Sequence, residues 1–124
     1  MSKPALILLG HGARDPDWKA PMQRLRDRLR AQYPGRIVEN AYLQFMTPNL
    51  TDCVVPLADQ GVNSVCILPV FIAQGGHVKK DISIMLDGLK QDYPWVDFKL
   101  EAAVGETEAV IAALTEHAAG VACW

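Results

Sequence analysis

The chain has 124 residues, of which 50% are hydrophobic and 21% charged, with a formal net charge of −2. That size fits one domain spanning 1–124, and area scaling gives a folded surface of roughly 6,500 Å² against about 20,000 Å² unfolded, so a core needs no disulfide or structural metal. The composition excludes a disordered or collagen-like chain; the slightly acidic balance argues against nucleic-acid binding, and no uncharged stretch is long enough to span a bilayer.

Met1-Ser2-Lys3-Pro4 runs straight into a strand-like segment without a signal-peptide cleavage pattern. Cys53, Cys66 and Cys123 form no Cys-x-x-Cys pair and are odd in number, which indicates neither a disulfide framework nor a thiolate zinc site. They read as small buried hydrophobes in a reducing cytoplasm, and the chain is expected to be cytoplasmic.

Ala5 to Leu9 is an unbroken apolar run ending at Gly10, the pattern of a strand buried on both faces. Trp18, Met22, Leu25 and Leu29 follow at helical spacing, with Arg24, Arg26, Asp27, Arg28 and Arg30 on the other face. Tyr33-Pro34-Gly35 stops that helix, and Ile37 to Leu43 reads as a second strand. Thr47 resembles an N-cap with Pro48 at the first helical position. Leu50, Val54, Leu57 and Ala58 carry this helix to Gly61, placed as its C′ residue.

A third strand, Val65 to Val70, precedes the loop Phe71 to Gly76. Ile82, Met85, Leu86 and Leu89 then define one face of a helix stopped by Tyr93-Pro94. Val96 to Ala102 alternates with period two, and a last helix over Glu106 to Ala119 uses Val110, Ile111 and Leu114. The repetition of Tyr-Pro after the first and third helices is assigned to chance. The order βαβαβαβα predicts an α/β fold: a single-domain, four-stranded parallel sheet flanked by helices on both faces.

Ligands of such sheets bind outside the carboxyl ends of the strands. Two of the three histidines fall there: His11 within Gly10-His11-Gly12 and His77 after Gly75-Gly76. Neighbouring glycines allow close approach of backbone to a bulky ligand. Imidazole suits both a borderline divalent metal and proton uptake near neutral pH. His117, inside the last helix without glycines or polar partners, is read as a surface residue. Arg14, Lys79 and Lys80 lie in the same loops and could meet an anionic ligand. An ordinary solvated helix start for the two lysines, and an Arg14 pairing with Asp15 or Asp17, remain open.

Three segments carry a family resemblance: Leu8 to Arg14, Glu39-Asn40-Ala41-Tyr42-Leu43, and the long block Leu68 to Ile82 containing Gln74-Gly75-Gly76-His77-Val78-Lys79-Lys80-Asp81. Over essentially its whole length the chain resembles the small CbiX-type sirohydrochlorin chelatases, a branch of the class II tetrapyrrole chelatases. The resemblance implies a chelatase-like half-domain, a lyase that inserts cobalt, nickel or iron into a sirohydrochlorin-type tetrapyrrole of cobalamin or related biosynthesis. It implies His11 and His77 as metal ligands and proton acceptors. Arg14, Gln44, Gly75, Gly76, Lys79 and Lys80 are then expected around the macrocycle. The divalent ion would be substrate, with no organic cofactor, no nucleic acid, no membrane and a homodimer as the working unit.

One position departs from the family. Where members commonly read Ala-Phe-Leu-Glu, with the glutamate at the metal, this chain has Ala41-Tyr42-Leu43-Gln44. An amide oxygen brings no charge, so the alternative is a member that binds tetrapyrrole or metal without turnover.

Overall fold

The computed structural model describes residues 2–124; Met1, part of the leader expectation, lies outside them. Four strands, β1 (Pro4–Gly10), β2 (Ile37–Tyr42), β3 (Ser64–Pro69) and β4 (Asp97–Leu100), alternate with α1 (Ala20–Gln32), α2 (Leu50–Asp59), α3 (Gly76–Asp92) and α4 (Glu108–Val121). The sheet is parallel throughout in the order β2-β1-β3-β4, with Leu8 level with Asn40 on one side and Leu68 on the other. The α/β parallel-sheet fold expected from the sequence is the one observed.

The central strand β1 is apolar because both faces are covered. Ile7 and Leu9 join Val54, Leu57, Val65, Ile67, Ile82 and Leu86 in the main core beneath α2 and α3. Leu8 instead meets Met22, Val38 and Tyr42 in a smaller cluster under α1. Asn40 is buried in β2 with neither side-chain amide atom hydrogen-bonded. On the open edge of β2, Arg30 donates from Nε and Nη2 to the Val38 carbonyl at 3.0 and 2.6 Å. Its guanidinium also pairs with Glu39 at 3.1 Å, a charged cover of the kind that blunts sheet edges.

Four local expectations are corrected. Trp18 stands in a 3-10 turn, Pro16–Lys19, ahead of α1, and within α1 only Met22 is buried. The Asp15 carboxylate caps that turn through the Asp17 N–H at 2.9 Å, which starts helical structure before the apolar stripe begins. The N-cap of α2 is Asn49, which accepts from the Asp52 N–H at 2.8 Å, rather than Thr47. The Thr47-Pro48 peptide is cis and lies outside the helix. Cys123 is exposed beyond the last helix, whereas Cys53 is buried and Cys66 half-buried. Finally α4 begins at Glu108 after a 3-10 turn, Val104–Glu106, and none of its residues is buried.

The repeated Tyr-Pro has a structural counterpart. Tyr33 and Tyr93 cap their helices with φ/ψ of −127/68° and −128/65°, each donating its N–H to the leucine four residues back. A following proline disfavours the α region for the tyrosine, and the same stop results twice.

Candidate functional site at the carboxyl edge of the sheet

The loops after β1 and β2 are fastened together by backbone. Leu43 and Gln44 donate their N–H groups to the carbonyls of Gly10 and His11 at 3.0 and 3.1 Å. Gly12 has φ +86°, and a Cβ there would collide with the Gln44 carbonyl oxygen, so both conformation and space require glycine. These contacts set Gln44 beside His11.

The His11 ring packs on Phe71, the second residue beyond the end of β3, with centroids 4.2 Å apart and planes tilted by 37°. Phe71 is buried, and its carbonyl accepts from the Gly105 N–H at 3.2 Å. Three loops thus converge on one imidazole. His11, Leu43, Gln44, Val78, Asp81, Ile84 and Met85 line a cleft of about 440 Å³ at this edge. A hollow of about 470 Å³ along β2 is lined by Arg30, Arg36, Glu39 and Asp52 but contains no histidine and lies off the strand ends.

His77 is exposed on the first turn of α3. It is not a wall of the cleft, but Val78 and Asp81, one and four residues onward, are. Residues four apart share a helix face, which puts His77 on the turn above Asp81, at the rim. Gly75 and Gly76 have ordinary φ, and a Cβ at either would meet nothing within 4 Å. The structure therefore shows open space over these two glycines rather than a backbone need for them.

Arg14 stacks its guanidinium over Phe45 at 4.5 Å from the ring centroid, and Phe45 itself holds φ +63°. Lys79 and Lys80 are exposed on the first turn of α3. Beside them, the N-terminus of α3 has Gly75 as its cap, with no side chain satisfying its free N–H groups. Among the described residues, no three of His, Cys, Asp or Glu come together as a metal-holding group. Asp81 was not singled out from the sequence. The available signal was its place four residues after His77, on the same helix face.

The chain matches the CbiX family over residues 5–120. It is 33% identical over 82 residues to a sirohydrochlorin cobaltochelatase of Methanococcus maripaludis, covering 66% of this chain and 57% of that protein. To the sirohydrochlorin cobaltochelatase of Methanocaldococcus jannaschii it is 34% identical over 88 residues, covering 71% and 61%. The chain thus spans about three-fifths of the length of these relatives. A CbiX protein from Marinobacter aquaeolei VT8 shares the fold with a TM-score of 0.81, 25% identity and 93% of both chains covered. The sirohydrochlorin chelatase SirB from Bacillus subtilis subspecies spizizenii, solved with cobalt, aligns at 0.80 over 96% of this chain and 51% of its own, at 19% identity, and so speaks for the fold alone. With 116 of its residues inside that family match, this chain belongs to the CbiX family.

Proposed function

We propose that this protein is a metal chelatase that inserts a divalent ion, cobalt ahead of nickel or iron, into a sirohydrochlorin-type tetrapyrrole. The observation that carries the reading is the His11 imidazole on the wall of the carboxyl-edge cleft, in a CbiX chain whose named relatives are cobaltochelatases. Insertion replaces two pyrrole N–H protons by one dication. The site therefore needs a ligand that releases its ion and a base for those protons, and neutral imidazole does both. His11 and His77 take these roles, with Gln44 as a neutral oxygen donor and Asp81 as a carboxylate on the same wall.

The macrocycle's carboxylates meet Arg14, Lys79, Lys80 and the free N–H groups at the start of α3. Its face lies over Gly75 and Gly76, where nothing crowds the backbone. Residues 1–124 work as one CbiX-like unit in the cytoplasm, where its three free thiols stay reduced. A second copy supplies the cleft's other wall. No organic cofactor enters the reaction.

Gln44 favours one alternative: with an amide where the family carries a charge, the protein would hold metal or tetrapyrrole without turnover. The test is insertion into sirohydrochlorin followed by absorbance, with cobalt, nickel and iron(II) side by side. Turnover lost in both His11→Ala and His77→Ala supports the chelatase. Binding of the tetrapyrrole without insertion of any of the three metals establishes the alternative.

A further inference from the structure

Phe71 is buried and belongs to the main core, in one cluster with Ile82, Leu86 and Ala103. It is not a wall of the carboxyl-edge cleft, whereas His11 is. An occupant of the cleft therefore feels Phe71 only through what Phe71 touches. What it touches is the imidazole, at 4.2 Å between ring centroids. Among the described residues this is the ring contact that His11 makes, and no hydrogen bond reaches either of its nitrogens.

Both main chains at this contact are held. The carbonyls of Gly10 and His11 accept from the loop after β2. On the other side, the Val70 N–H donates to the Leu9 carbonyl at 2.8 Å, which carries the pairing of β3 with β1 up to the residue before Phe71. The Phe71 carbonyl accepts from Gly105 at 3.2 Å. Gly105 is buried, and a Cβ there would collide with the Ile72 backbone, so the turn Val104–Glu106 bears directly on this segment. The freedom left to His11 is the pair of χ angles that aim its ring, and a phenyl face against the ring narrows them.

We infer that Phe71 is the positioning residue of this site, holding the plane of the His11 imidazole at the cleft while leaving both nitrogens unengaged. The inference rests on the reading of His11 as a ligand of the inserted ion. A histidine ligand is ordinarily aimed by donating its second ring N–H to a carboxylate or carbonyl, which also makes it a stronger base. A phenyl face aims the ring without that gain. The ion thus meets a ligand already in place, with little ordering left to do, but one that binds it less firmly. Chelation asks for that combination, because the ion has to be handed on.

The contact is tested first without metal. In the parent protein labelled at histidine, the ring protons of His11, identified by their loss in His11→Ala, are expected upfield of those of His77 and His117, displaced by the Phe71 ring current. Phe71→Leu keeps an apolar side chain without the aromatic face and is expected to abolish that displacement. By calorimetry it should also weaken cobalt binding about tenfold, the low end of what lost support of a ligand costs. Phe71→Tyr is expected to restore both, and Phe71→Met replaces the leucine variant if that one does not fold. In a His11→Ala background Phe71→Leu is expected to change cobalt affinity no further, as required of a residue that acts through the imidazole. His11 protons at ordinary positions in the parent, unchanged cobalt affinity in Phe71→Leu, or the same loss in the His11→Ala background overturns the positioning role alone. Parent-like cobalt binding by His11→Ala overturns the ligand reading and this inference with it.

Discussion

Gln44 donates its backbone N–H to the carbonyl of His11 at 3.1 Å, while its own carbonyl accepts from Met46 at 2.8 Å. Gln44 is therefore fixed by its main chain. Its side chain remains exposed at the cleft wall, free to carry a different head group. Chemistry at position 44 can change while the loop geometry persists.

Gln44→Glu accordingly leaves the fold intact and adds a formal charge beside His11. The dissociation constant for cobalt is expected to fall, read by calorimetry, because a carboxylate attracts a dication that an amide does not. Unchanged affinity would mean that the side chain does not reach the ion.

Gly12→Ala attacks the same clamp from the other strand. A left-handed alanine costs roughly 1–2 kcal/mol, and here it also meets the Gln44 carbonyl. Urea unfolding should show at least that loss, and metal binding should weaken with it. A variant as stable as the parent would contradict the tight approach of the two loops.

Asn49→Ala removes the side-chain cap from the Asp52 N–H. The expected cost is about 1 kcal/mol, seen as a lower urea midpoint with unchanged slope. Thr47→Ala, by contrast, is expected to leave the midpoint in place, since Thr47 caps nothing.

Burial pushes the Cys53 thiol from 9.0 up to about 12, with the Glu39 charge adding to the rise. The folded chain keeps this proton where the unfolded chain releases it. Its stabilisation is fully present below about pH 9 and is lost as pH climbs toward 12. Stability measured by urea titration should fall more steeply over that window in the parent than in Cys53→Ala. At neutral pH a thiol reagent should modify Cys123 first and Cys66 more slowly, reaching Cys53 only on unfolding.

Much of this molecule was legible one element at a time. The apolar run Ala5–Leu9 could only be a two-sided strand. The stripe Leu50-Val54-Leu57-Ala58 is buried as its spacing requires, as are Ile82, Leu86 and Leu89 of the third helix's stripe, while its Met85 is only half-buried and lines the cleft; Gly61 takes the left-handed φ of +90° that follows a helix end. Glycines flanking histidines at two strand exits pointed to the edge where the cleft lies. Each of these signals is local, arising from the period of one element or the conformational limits of one residue.

Tertiary structure decided the rest. Asp81 and Gln44 become neighbours of His11 only because two crossovers return distant segments to one edge. Asn49 displaced Thr47 as the cap because the helix axis is set by Leu50 and Val54 entering the core. The stripe Val110-Ile111-Leu114 announced that α4 has a face to bury, and that face remains uncovered in the single chain. Periodicity reports which side of an element avoids water, but the surface that will cover it is a property of the assembled fold.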